Sequence, residues 1–293
     1  MHAMRGPVKQ IACFLVLVAC ISFPFWSLII HAGRLDIARG RVVHMLMWSP
    51  ALAALLTCRV FGVKIETLGW TWKPVRFELL AYGLPVIYGL LAYLPLWWLG
   101  VAPFQYREFR QESSTSLYLG IGASLVEFAL LATFGVIQSL ASALGEEIGW
   151  RGFLLPALVQ RFGFPIAVLS SGLVWAAWHY PILLFADYNS GTPPLFALSC
   201  FTVMIVATGA IAAWLRLRSG SLWPAAVFHA SHNLFIQSVF DRLTGTTVRA
   251  RYWSGEFGLA LAIAAVIVAI FILQRGLKVT SAIAPVEQTP QRV

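Results

Sequence analysis

The stretch Ala143-Leu144-Gly145-Glu146-Glu147-Ile148-Gly149-Trp150-Arg151-Gly152 sits inside an apolar run from Leu117 to Gln160. Only twelve of the 293 residues are acidic, and two of them stand here side by side. A charged side chain at bilayer depth costs about 2.5–3.5 kcal/mol on insertion scales, so such residues usually line a cavity and carry function. Chemistry is expected here.

The chain as a whole is 59% hydrophobic and 11% charged, beyond the range of water-soluble domains. A helix needs about 20 apolar residues to cross a hydrocarbon core. Eight runs are read as spans: Ile11–His31, Val42–Val63, Phe77–Gly100, Leu117–Gln160, Phe164–Phe185, Leu195–Leu215, Leu222–Phe240 and Phe257–Leu273. Backbone groups cannot go unpaired in lipid, so the runs are helices, and the alternation of a membrane barrel is absent. The fold class is all-α: a polytopic transmembrane bundle of about eight membrane-spanning helices. Three stretches are distinguished. Residues 1–116 hold N-terminal spans and an interfacial segment, 117–240 the polar helical core, and 241–293 the last span and a polar tail.

A net charge of +9 raises the question of nucleic acid. The basic residues lie scattered at helix ends, as in Arg34/Arg39/Arg41, Lys73/Arg76, Arg216/Arg218 and Arg275/Lys278. That suits anionic headgroups rather than a continuous basic stripe, so the lipid bilayer is the expected partner and nucleic acid is not. With the N-terminus inside, thirteen Lys and Arg fall on the inner side and eight on the outer, a modest bias for both termini inside the cell membrane. Leu68–Arg76, with Trp70, Trp72 and Lys73, reads as interfacial. Leu17-Val18-Ala19-Cys20 resembles a lipoprotein cleavage box, but apolar sequence continues to Ile30, as an uncleaved first span requires. Cys13, Cys20, Cys58 and Cys200 show no metal-like spacing and are expected to be buried and reduced. The Thr280–Val293 tail is expected to be disordered.

The Leu117–Gln160 run is too long for one crossing. As a single helix it would extend roughly 66 Å, about twice a hydrocarbon core. Either it tilts and protrudes, or it breaks near Gly135 or Gly145. Its far end is a short polar turn at Gln160–Gly163, with Pro165 in the first turn of the next helix. So short a turn makes the two helices antiparallel. Glu146 and His179 are then equally far from the turn, about 25 Å each, and stand at one level on neighbouring helices. Glu147 and Arg151 are spaced i,i+4 in the favourable order for an ion pair. Adjacent helical residues diverge by about 100°, so the expectation is that Arg151 neutralises Glu147 while Glu146 faces His179; the alternative is that all three form one structural network. His229 and Asn233, also i,i+4, share a face on the seventh span.

Glu146-Glu147-x-x-x-Arg151, Trp175-x-x-x-His179 and His229-x-x-x-Asn233 resemble, in order, the EExxxR, FxxxH and HxxxN motifs of the CAAX protease and bacteriocin-processing family. Trp175 departs from the usual Phe but keeps an aromatic wall. The resemblance implies an intramembrane glutamate endopeptidase of the multi-pass bacterial cell membrane, acting on a peptide or membrane-protein substrate. It implies that Glu146 and His179 activate water, that His229 and Asn233 hold the oxyanion, and that Glu147 and Arg151 form a supporting ion pair. Donors fixed in a low-dielectric site stabilise developing negative charge strongly.

Two other readings compete. Glu146, His179 and His229 could offer zinc an open three-ligand site, but the chain lacks HExxH, so no cofactor is expected. Intramembrane Glu and His also serve transporters, or an immunity protein that only binds a partner, although no inverted repeat is present. His232 is an alternative to His229 as the cavity-facing histidine. Glu127 reads as structural or interfacial, His44 as a lone satisfied histidine, and Asp187 as a solvated loop residue.

Overall fold

The computed structural model describes residues 5–38, 40–72, 75–106, 128–186 and 188–276. Arg39, Lys73, Glu127, Asp187, Lys278 and the Thr280–Val293 tail, all read above, lie outside them, as does the 117–127 part of the long run. Helices follow the apolar runs: α1 Arg5–Ala32, α2 Arg41–Phe61, α3 Val75–Trp98, α4 Phe128–Phe162, α5 Phe164–Phe185 and α6 Pro194–Ser219. Next comes α7, an α-helical Trp223–His232 running on into a π-helical Asn233–Phe240. Short α8 (Val248–Trp253) and then α9 (Leu259–Gly276) complete the described residues.

The architecture is an all-α polytopic bundle, with a helix at each of the eight expected positions. By length and apolarity, α1 to α6 qualify as spans. Helix α7 carries buried His229, Ser231 and His232, and α9, at 18 residues, is shorter than any of α1 to α6; the count of eight is therefore approximate. The helix α1 passes Cys20 without interruption. The cysteines divide: Cys58 and Cys200 are buried, Cys13 is half-buried, and Cys20 is exposed on the outer face of α1. The last departs from the expectation of burial.

Helix α4 does not break. Its 35 described residues extend about 52 Å, which fits the tilted, protruding alternative. The glycines that suggested a break serve close packing instead. A Cβ at Gly135 would come within 2.7 Å of Leu234 on α7, and one at Gly145 within 2.7 Å of the Met47 carbonyl on α2. Backbone contact with α2 at Gly145 fixes the depth of the neighbouring glutamates. Two π-helical stretches, Leu131–Gly135 and Ile148–Leu154, are wound into α4. Such bulges are frequent at functional sites because they re-aim side chains and free carbonyls.

One freed carbonyl, that of Arg151, accepts a bond from Arg216 Nε of α6 at 3.1 Å. Arg216 Nη2 also reaches the carbonyls of Thr67 and Leu68, at 3.4 Å each. The interfacial segment thus lies beneath the π turn, with Trp72 against Trp223 (ring centroids 5.6 Å apart) and Trp223 Nε1 bonded to the Trp70 carbonyl. Helix α4 turns into α5 through Gly163 alone, whose φ of 78° suits glycine. Helix α7 packs against α3, α4 and α6, so its polar face looks into the interior.

Candidate active site

A cavity of about 870 Å³ is lined by Glu146, Trp175, His179, His229, His232 and Asn233, among others. The α4–α5 hairpin and α7 therefore bring together the residues that sequence spacing set at one level. Leu35, Asn189, Thr244 and Ser254 also line the cavity. They belong to the connections after α1, α5 and α7 and the stretch before α9, so the cavity reaches the end of the bundle opposite the Gly163 turn.

Glu146 is 1% exposed. Its Oε2 accepts from Trp175 Nε1 at 2.7 Å and from Trp150 Nε1 at 3.4 Å. The Trp175 that departs from the usual Phe is thus a direct partner of the carboxylate as well as an aromatic wall. Oε1 has no hydrogen-bond partner among the described residues. His179 Nδ1 lies 2.9 Å from the Trp175 carbonyl. A carbonyl only accepts, so Nδ1 carries the proton and a neutral ring presents Nε2 as an acceptor. Trp178 and Phe201 hold the ring edge-on, with centroids 4.8 and 5.2 Å away.

Glu147 points elsewhere, as adjacent helical positions must. Its Oε1 receives Arg151 Nη1 at 2.7 Å and His229 Nδ1 at 2.9 Å, and all three side chains are buried. The Arg151 guanidinium lies over the Trp175 ring, 4.1 Å from its centroid. A Cβ at Gly209 of α6 would crowd it, at 3.2 Å. Glu147 Oε2 and Arg151 Nε are buried without a hydrogen-bond partner among the described residues. The ion pair spaced i,i+4 is present, and it also anchors His229, a contact that the spacing did not indicate. Asn233 lines the cavity with no side-chain partner among the described residues. His44 is satisfied by Ser142 Oγ at 2.6 Å.

A second polar cluster was not read from the sequence. Glu256 Oε1 accepts from His232 Nε2 at 2.9 Å and from Gln237 Nε2 at 3.1 Å, and its Oε2 from Tyr188 at 3.0 Å. His232 Nδ1 meets the Tyr88 hydroxyl on α3. Burial opposes the charge on Glu256, yet the bonds from His232, Gln237 and Tyr188 hold its carboxyl low, at about 2. Beside it, Tyr93 donates to Asp241 and accepts from the Gly255 amide. Glu256 stands alone at the edge of the Phe257–Leu273 run, with no motif around it. Its scarcity as an acid was the one available signal. Among the described residues no three His, Cys, Asp or Glu side chains are close enough to share a metal ion.

Fold and cavity together define a polytopic helical membrane protein with a buried carboxylate–histidine site. Comparison then sharpens the class. Residues 128–235 match the family described as Rce1-like, type II CAAX prenyl endopeptidase. The CAAX prenyl protease 2 of Methanococcus maripaludis is 34% identical over 135 residues, covering 41% of this chain and 49% of the relative. The chain thus spans about half the length of the curated relative it matches. Every residue of the three motifs falls within 128–235, and over that core the resemblance to the CAAX protease and bacteriocin-processing family is borne out. Glu256 lies beyond the matched segment.

Proposed function

We propose that the protein is an intramembrane endopeptidase that hydrolyses a peptide bond with water activated by Glu146 and His179. One observation carries this reading: Glu146 and His179, whose Oε1 and Nε2 have no hydrogen-bond partner among the described residues, line one cavity. A water molecule has two protons and can donate one to each, which leaves a lone pair for a carbonyl carbon. Glu146 takes the proton as the C–O bond forms and returns it to the leaving amine.

His229 and Asn233 receive the carbonyl oxygen as it becomes negative. With Nδ1 bonded to Glu147, His229 donates through Nε2 only if that nitrogen also carries a proton. The acting ring is then an imidazolium, with Glu147 as its counter-ion. Arg151 holds Glu147 in place. Asn233 supplies a neutral amide donor, which gains most when charge develops.

The relative's name states a prenyl substrate for that protein. For this chain the substrate proposed is an extended segment of a membrane-associated protein or peptide, entering from the end of the bundle where α1, α5 and α7 end. Metal-independent catalysis is proposed with it, since among the described residues no three ligands converge. The test is cleavage of a peptide library by purified protein in detergent, read by mass spectrometry with and without chelator. Cleavage that survives chelator and disappears in Glu146→Gln supports the reading. Loss on chelation with recovery on zinc would replace it with a metalloprotease. Absence of any cleavage, with Glu146→Ala still functional in cells, would favour partner binding.

A further inference from the structure

Helix α7 carries the proposed oxyanion donors, so its rotation about its own axis matters. On a helix, Asn233 lies about 40° to one side of His229 and His232 about 60° to the other. Rotating the helix by about 10° moves a side-chain atom about 6 Å from the axis by about 1 Å. A misplacement of that size can cost about 100-fold in rate. Among the described residues the Asn233 side chain has no partner to correct it. It is also the residue at which α7 changes from α- to π-helix, and its N–H is shared between the carbonyls of His229 and Ala230. The backbone is therefore least able to hold the setting where it matters most.

Two anchors outside α7 supply it. Glu147 of α4 grips His229 on one side. On the other, Glu256 grips His232 and, through the same oxygen, Gln237 further along the helix. Tyr188 ties Glu256 to the α5–α6 connection, and Tyr88 ties His232 to α3. Both nitrogens of His232 are engaged, so it has none to offer a substrate.

We infer that Glu256, acting through His232, is a positioning residue for the peptidase reaction: it fixes the rotation of α7 and so aims His229 and Asn233 at the oxyanion. This rests on the peptidase reading. It also gives His232 a part beside His229, where the sequence reading held the two as alternatives.

The experiment compares Glu256→Ala, Glu256→Gln, His232→Ala and the double alanine variant, in detergent, for peptide cleavage and for the His229 ring resonances in ¹⁵N-histidine NMR. Glu256→Ala and His232→Ala are each expected to lower kcat about 10–100-fold, with KM within about twofold. The double variant should be no worse than either single variant, because the two act as one unit. Glu256→Gln should remain within about threefold of the parent, since its amide oxygen still accepts from His232 and its NH₂ can donate to Tyr188. The His229 resonances should move in Glu256→Ala and stay in Glu256→Gln. If Glu256→Gln is as impaired as Glu256→Ala, or the single effects multiply, the inference is overturned. Should Glu256→Ala fail to fold, His232→Ala with Glu256→Gln decides the matter. The NMR readout needs no turnover, so it separates failure of this inference from failure of the peptidase reading, which would appear as a parent protein that cleaves nothing.

Discussion

The two histidines of α7 are anchored in opposite ways. His229 hangs on Glu147 beside Arg151, in a cluster that leaves Glu147 Oε2 and Arg151 Nε buried and unpaired. His232 hangs on Glu256, whose two oxygens receive three donors. A buried polar group left unmatched costs about 1–3 kcal/mol, and more when charged. The inner cluster is thus short of bonds and the outer one is saturated. Spare bonding capacity sits next to Glu146, where charge would appear during hydrolysis. The outer cluster is complete without any ligand, as befits a fixed support.

Five substitutions probe this contrast on the inner side. Glu146→Gln keeps an oxygen for Trp175 but cannot take a proton, so kcat should fall about 10³–10⁴-fold with little change in thermal stability. Unaltered turnover would leave the inner cluster without a catalytic purpose. Arg151→Ala leaves Glu147 with His229 alone, and breaking a buried pair costs about 3–5 kcal/mol. Adding Glu147→Ala should restore part of that loss in a thermal-unfolding cycle in detergent; simple additivity would show that the pair is not coupled. Asn233→Ala should lower kcat about 10²–10³-fold with KM little changed, which single-turnover cleavage will measure. Trp175→Phe removes the shorter of two indole bonds to Glu146 and should lower kcat about tenfold, because a hydrogen bond to a charged group is worth about 1.5–3 kcal/mol and Trp150 remains. On the outer side, Tyr188→Phe should cost about 1 kcal/mol in unfolding. A larger loss there would mean that Tyr188, rather than His232 and Gln237, chiefly holds Glu256.

What the sequence disclosed follows from periodicity and local spacing. Hydropathy located the helices because the bilayer demands long apolar runs. The short turn read at Gln160–Gly163, which the structure narrows to Gly163, made the level of Glu146 and His179 a matter of counting. The spacing of Glu147 and Arg151 gave a contact within one helix. Tertiary packing stayed hidden. Gly135 and Gly145 look alike whether they break a helix or admit a neighbour, and only the approach of Leu234 and Met47 distinguishes the two. Cys20 is exposed because α1 turns that face outward, which composition cannot reveal. Glu256 reaches His232 across 24 positions, and Tyr88 does so across 144; no local pattern encodes either contact. The bond from Trp175 to Glu146 spans two helices and lay behind a residue read only as an aromatic wall.

The most direct test of a Glu146-centred hydrolysis is cleavage in ¹⁸O-labelled water. Purified protein, a cleavable peptide and chelator are combined in detergent, and the fragments are weighed by mass spectrometry for the parent and for Glu146→Gln. The account predicts that the parent yields an N-terminal fragment carrying one ¹⁸O in its new carboxylate, while Glu146→Gln yields no fragment above background. Labelled fragments from Glu146→Gln at the parent's rate would contradict it.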